Sequence, residues 1–136
     1  MPGLSGLALT TQETIEILSL YSSAAQQVAA VASPPGWTVI GGFPMPTTAD
    51  IRLEVLGSVS DPSLTMSVRL YCTTPGSLGP VSGSDVVIAS TTDVQQYSGQ
   101  FTLQGAGRQY QMQSQVVGAA GVPYFGNVRR AAPAGI

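Results

Sequence analysis

The sequence contains no histidine, no lysine and a single cysteine, and each absence removes a class of function. Without histidine the chain cannot build a Ser-His-Asp or Cys-His catalytic arrangement, a histidine-ligated zinc or haem site, or a histidine pH switch. One cysteine allows neither an intramolecular disulfide nor a thiolate metal cluster. Five arginines against seven carboxylates leave a net charge of −2, which argues against a nucleic-acid-binding surface.

Charge of either sign is also scarce. Charged residues make up 9% of the 136 residues, whereas soluble proteins average about 25%. A folded monomer of this mass exposes roughly 6,700 Å², which leaves about one charge per 560 Å². Such a surface protects poorly against self-association, so we expect the protein to assemble with itself or to be covered by partners. A homodimer is favoured because two-fold contacts are the commonest closed solution, and a trimer is the alternative.

The sequence also predicts no membrane span, no signal peptide, no metal site and no cofactor. No apolar run approaches the ~20 residues that a membrane helix needs, and the first basic residue is Arg52. Asp50 and Glu54 share a strand face, but Arg52 stands between them, which is not the open carboxylate pair of a glycosidase. Cys72 is expected to be buried and inert. We therefore predict no catalytic residues.

Glycine and proline punctuate the whole chain and separate runs rich in valine, threonine and tyrosine. This pattern predicts one domain over 1–136, an antiparallel β-sandwich of jelly-roll type with about eight strands. An immunoglobulin-like sandwich is the alternative. Short strands are expected near 37–40, 85–90 and 93–96. Residues 11–32 fit either a helix or two strands at 14–22 and 26–32, and we favour the strands because β-branched and aromatic residues occur there.

The clearest single element is the alternating run at 50–72. Its Asp-Pro pair predicts a turn at 60–63, and a hairpin around that turn would place Glu54 opposite Arg69. The expected buried face contains Ile51, Leu53, Val55, Val59, Leu64, Met66, Val68, Leu70 and Cys72.

A second hairpin is predicted over 97–117, with a tight turn at 106–107 or a four-residue loop at 105–108. Its expected buried face contains Tyr97, Phe101, Leu103, Tyr110, Met112 and Val116. The opposite face would be a band of hydroxyls and amides without charge, and it is a candidate partner-binding surface. The glutamines of this band are Gln100, Gln104, Gln109, Gln111, Gln113 and Gln115.

The two ends of the chain, residues 1–12 and 122–136, read as extended N- and C-terminal arms because they are rich in glycine, proline and alanine. In the second arm, Arg129 and Arg130 are the candidate electrostatic contacts with a partner, since arginine is favoured at interfaces. Tyr124 and Phe125 are the candidate apolar anchors. Deleting 122–136 is expected to leave the β core folded and to weaken attachment.

Three stretches carry a resemblance to a known family: GWTVIGGF, DIRLEVLGSVSDPSLTMSVRLYC and YSGQFTLQGAGRQYQMQSQVVG. Together they resemble the capsid decoration, or cement, proteins of tailed phages. The resemblance implies a jelly-roll-like fold, dimers or trimers, and binding across joints between major capsid protein subunits. It also implies a place on the outer capsid surface of the virion, after synthesis in the host cytoplasm, and it transfers no catalytic residues.

Two functional hypotheses follow. The first is a non-enzymatic structural protein that stabilises an assembled capsid by bridging its subunits, because a ligand of the assembled state alone stabilises that state. The second is a phage tail-fibre or receptor- or carbohydrate-binding β-module, which would show exposed aromatic side chains around its site.

Overall fold

The computed structural model describes residues 23, 25–31, 36–118 and 124–135, and over these residues the chain is all-β. The strands in chain order are β1 (Gln26–Val31), β2 (Thr38–Met45), β3 (Ala49–Val59), β4 (Thr65–Cys72), β5 (Gly79–Pro80), β6 (Val86–Ile88), β7 (Val94–Tyr97), β8 (Phe101–Leu103), β9 (Arg108–Val117) and β10 (Phe125–Ala134). The prediction of an all-β fold is confirmed, with ten described strands where about eight were expected.

The strands form one curled mixed sheet in the order β5-β4-β9-β1-β10-β3-β7. Three strands pair beside this path: β2 with β9, β6 with β4, and β8 with β3. The β4–β9 half comprises β2, β4, β5, β6 and β9, and the β3–β10 half comprises β3, β7, β8 and β10. A jelly-roll or sandwich arrangement of these strands stays a prediction.

Strand β1 joins the two halves. Its residues 26–29 run antiparallel to β10, and its last two residues run parallel to the end of β9. The halves also meet across the core: a Cβ added to Gly126 of β10 would lie 2.7 Å from the Met66 Sδ atom and 2.7 Å from a Val116 methyl group. Both halves therefore bury their inner faces in one shared core.

The predicted hairpin at 50–72 is wrong in its pairing and right in its buried residues. Strands β3 and β4 begin and end close to the expected positions, but β3 pairs with β10, β7 and β8, and β4 pairs with β9, β5 and β6. The turn at 60–63 carries the chain from one half to the other, so Glu54 does not face Arg69. All nine residues of the expected buried face are buried. A hairpin and a crossing between facing halves bury the same alternate residues, so periodicity cannot distinguish them.

The second predicted hairpin, at 97–117, fails in the same way. Strand β8 pairs with β3, whereas β9 pairs with β2 and β4. Phe101, Leu103, Tyr110, Met112 and Val116 are buried as expected. Tyr97 is 43% exposed, which corrects its assignment to the core. The reason is that it ends β7 on the outer face, where the guanidinium of Arg52 lies 3.9 Å above its ring.

The expected C-terminal arm at 122–136 is also corrected. Its residues 125–134 form β10, which lies between β1 and β3. Val128, Ala131 and Ala132 of this strand are buried. A strand that packs closely against β4 and β9 needs small side chains. The glycine and alanine content that predicted a loose arm is therefore the content of a central strand. The expected N-terminal arm at 1–12 and the expected strand at 14–22 lie outside the described residues, while β1 confirms a strand rather than a helix at 26–31.

Candidate functional site

The two halves of the sheet present outer faces of different chemistry. The outer face of the β3–β10 half, which we call the charged face, carries six ionised side chains: Asp50, Arg52, Glu54, Asp93, Arg129 and Arg130. Three acids balance three arginines, so this face has no net charge although it holds half of the charged residues of the chain.

Five of the six ionised groups of the charged face form ion pairs or hydrogen bonds within the chain, and the sixth, Arg52, stacks on the Tyr97 ring. The Arg129 Nε atom lies 3.1 Å from the Asp93 carboxylate, and the Arg130 Nη1 atom lies 3.0 Å from the Glu54 carboxylate. Glu54 also accepts a hydrogen bond from the amide of Gln95. These contacts leave little unbalanced charge for an acidic or basic partner to recognise.

A β-bulge explains why Arg129 and Arg130, which are adjacent in sequence, both point outwards. The register between β10 and β3 shifts between Val128 and Arg130, and a bulge places two consecutive side chains on one face. The two arginines therefore lie on a paired strand, each bonded to a carboxylate of this chain. This corrects their placement on a loose arm, while their contact with a partner stays a prediction.

Of the two expected apolar anchors, Phe125 begins β10 and Tyr124 directly precedes it. Tyr124 is half-buried and packs against the core. Phe125 pairs with Ala29 of β1, and its backbone N–H donates to the Ser60 hydroxyl over 2.9 Å. Both residues are thus held by the chain itself.

The outer face of the β4–β9 half, which we call the amide face, is almost free of charge. Among the described residues its outward side chains include Trp37, Val39, Thr65, Ser67, Arg69, Tyr71, Asp85, Val87, Gln111, Gln113 and Gln115. Val39 is 51% exposed and Val87 is 56% exposed, which makes them two of the four large hydrophobic residues exposed in the described part of the chain. The face therefore combines apolar, aromatic and amide groups with one cation, Arg69, and one carboxylate, Asp85.

That cation, Arg69, is held between two aromatic rings and an amide. Its guanidinium carbon lies 3.9 Å from the centre of the Trp37 ring and 5.5 Å from that of Tyr71. Its Nε atom donates to the side-chain oxygen of Gln113 over 3.0 Å. Stacking and hydrogen bonding of this kind fix a guanidinium in one position and cover part of its charge.

In the structure, the six glutamines of the band predicted from sequence lie in both halves of the sheet rather than on one face. Gln111, Gln113 and Gln115 lie along β9 on the amide face, and Gln109 is exposed near the start of that strand. Gln100 and Gln104 flank β8 in the other half, because β8 and β9 do not pair.

Two glutamines of the amide face are buried and already hydrogen-bonded within the chain, so they offer little surface to a partner. Gln113 and Gln115 are each only 9% exposed, and the Gln115 oxygen accepts a hydrogen bond from the Gly36 N–H over 2.9 Å. Their role is therefore to support Arg69 and the start of the β2 segment, while Gln111 remains partly exposed.

Sequence reasoning missed the aromatic centre of this face. Trp37, just before β2, is only partly buried and stacks against Arg69. The alternation over 65–72 did place Arg69 and Tyr71 outwards together. No sequence signal brings Trp37 to them, because the contact depends on β2 pairing with β9.

Within the described ranges, no three histidine, cysteine, aspartate or glutamate residues lie close enough together to hold a metal ion. The same part of the chain has no helix with the length and hydropathy of a membrane span. No family model matches the chain, and no curated protein matches it significantly in sequence.

Proposed function

We propose that the chain is a non-enzymatic structural protein that binds the outer surface of an assembled capsid through its amide face. The observation that supports this most is the division of charge between the two outer faces. Burying ionised groups in an interface carries a large desolvation cost, whereas apolar, aromatic and hydrogen-bonding amide groups are buried at much lower cost. Aromatic residues and arginine are also the residues that interfaces favour.

The partner in this proposal is the major capsid protein in its assembled form, with self-association of the chain as a homodimer beside it. A protein that binds only the assembled lattice stabilises that lattice by mass action. Many copies engaged at once strengthen attachment even when each contact is modest. The low overall charge of the chain fits a surface that is largely covered in use.

The test introduces one negative charge on each face. Gln111→Glu on the amide face keeps the shape and the oxygen that accepts a hydrogen bond from Gln113. Gln100→Glu, an exposed position of the other half, is the matched control. Each variant is mixed with capsids of the virus that encodes the chain, and particle occupancy is measured by co-sedimentation.

We expect Gln111→Glu to lower occupancy at least about tenfold at limiting protein, because a buried unpaired charge costs more than 1.4 kcal/mol. Gln100→Glu should bind like the unaltered protein. Equal binding of both variants, or absence of the unaltered protein from the particles, would contradict the proposal.

A carbohydrate-binding role is the second candidate, and the pair of aromatic rings on the amide face favours it. Trp37 and Tyr71 flank a guanidinium and an amide, which is a combination able to stack on a sugar ring and to hydrogen-bond its hydroxyls. Binding to a glycan array that is lost in Tyr71→Ala would support this role over lattice binding.

A further inference from the structure

A cleft of about 210 Å³ lies between β5 of one half and β8 of the other. Its lining includes Cys72, Leu78, Thr102, Leu103, Arg108 and Tyr110. The cleft is smaller than the roughly 300–1,000 Å³ of pockets for drug-sized ligands. It therefore has room for a group about the size of one amino-acid side chain.

The floor of the cleft is apolar and its rim is partly exposed. Cys72, Leu103 and Tyr110 are each at most 5% exposed, whereas Leu78 at the rim is 64% exposed. The Tyr110 hydroxyl donates to the backbone oxygen of Gln104 over 2.6 Å. Burial raises the pKa of Tyr110, and the nearby Cys72 raises it further, so the phenol stays neutral at physiological pH.

Arg108 supplies the positive charge of this cleft. The two ion pairs among the described residues use Arg129 and Arg130, whereas Arg52 and Arg69 stack on aromatic rings. Arg108 has neither kind of partner in the described part of the chain, and its guanidinium lies close enough to Tyr110 to lower the pKa of that phenol in part. A guanidinium carries five donors in a fork that fits a carboxylate, so donors remain for a ligand.

We propose that this cleft binds a carboxylate on a short apolar stem, with Arg108 holding the carboxylate and Leu78 and Leu103 contacting the stem. One guanidinium balances the single charge of a carboxylate. A phosphate group, with a charge of about −1.5 to −2, would keep an unbalanced charge in a partly buried site. The carboxylate comes either from an acidic side chain of a partner protein or from a free aliphatic acid.

The test titrates pentanoate into the full chain and follows amide resonances by two-dimensional NMR, with pentanamide as the uncharged isostere. Pentanoate should cause saturable shifts at residues that line the cleft. Pentanamide should bind at least about tenfold more weakly, because a charge-assisted hydrogen bond contributes more than a neutral one. This comparison needs no variant, so it stands even if a substitution impairs folding.

Two arginine variants then test which guanidinium binds the carboxylate. Arg108→Gln should weaken pentanoate binding at least about tenfold, and the matched control Arg129→Gln, an arginine of the charged face, should leave it unchanged. Pentanoate should also slow the reaction of Cys72, the one thiol of the chain, with a small alkylating reagent. Equal binding of acid and amide, no saturable shift, or equal loss in both variants would overturn the proposal.

The same titration distinguishes the two sources of the carboxylate. N-acetylglutamate α-amide presents the side chain of a partner protein, and pentanoate presents a free acid. Tighter binding of the glutamate derivative assigns the cleft to an acidic side chain of a partner, and tighter binding of pentanoate assigns it to a free acid. Failure of both would overturn this proposal and leave the role of the amide face unaffected.

Discussion

The charged face and the amide face cover the same apolar core, yet one carries six ionised side chains and the other carries two among its described residues, Arg69 and Asp85. The difference does not arise from the core, because both faces rest on strands that alternate buried and outward residues. The charged face balances its own charges, whereas the amide face offers apolar, aromatic and amide groups. A surface whose charges are balanced within the chain can stay in contact with solvent, and a surface with few charges can be buried by a partner at lower cost.

The largest effect is expected from the removal of β10, which tests whether one half of the sheet can fold without the other. Deleting residues 125–135 removes β10, which pairs with β1 and β3 and packs against β4 and β9. We expect the whole protein to lose cooperative folding, because a domain of this size is stable by only about 5–15 kcal/mol. Circular dichroism during thermal unfolding measures this. A truncated chain that kept a sharp transition would show that the β4–β9 half folds without the charged half.

A single methyl group tests the spacing inside the charged half. A Cβ at position 57 would lie 2.3 Å from the backbone oxygen of Asn127, which cannot move away as a side chain could. Gly57→Ala should therefore destabilise the protein by about 1–3 kcal/mol, the usual cost of overpacking. Gly99→Ala is the control, since a Cβ there meets no atom within 4 Å. Equal denaturant midpoints for the two variants would argue against the close pairing of β3 and β10.

Two arginine substitutions compare the faces directly. Arg69→Met removes a guanidinium that stacks on Trp37 and hydrogen-bonds Gln113, and we expect a loss of about 1–2 kcal/mol. Arg129→Met breaks an exposed ion pair with Asp93, which should cost less than about 1 kcal/mol. Urea unfolding of both variants measures the difference. A larger loss for Arg129→Met would mean that charge, rather than stacking, stabilises the outer surface.

The smallest effect concerns the turn that connects β3 of one half to β4 of the other. The hydroxyl and the backbone N–H of Ser63 both donate to the Asp61 carboxylate and lower the pKa of this group. A pKa lowered in the folded state contributes stability above about pH 4, and that stability is lost as the pH falls through the folded pKa. Asp61→Asn should lower the free energy of unfolding at neutral pH, and the variant should lose less stability in acid than the unaltered protein does. If the free energies of unfolding of the two proteins fell in parallel as the pH was lowered, this expectation would be wrong.

The buried residues could be predicted from sequence because alternation is local. Ile51, Leu53 and Val55 are buried as their spacing indicates, and the strands around them begin and end near the expected positions. The pairing of those strands could not be predicted, since a hairpin and a crossing between halves share the same parity.

The candidate site could not be predicted in full, because it is formed by contacts between residues that are distant in sequence. Trp37 and Arg69 meet because β2 and β4 both pair with β9. Arg129 and Arg130 both point outwards because of a bulge, which a periodic pattern does not reveal. The alanines of β10 were misread because a central strand that packs against close neighbours needs small side chains.

The proposed binding to a capsid through the amide face is tested most directly by a cryo-electron-microscopy reconstruction of the native virus particle at side-chain resolution. We expect copies of this chain repeated over the capsid lattice, with Trp37, Tyr71 and Gln111 against the major capsid protein and the charged face towards solvent. A reconstruction in which the charged face contacts the capsid, or in which the chain does not occupy the lattice, would contradict it.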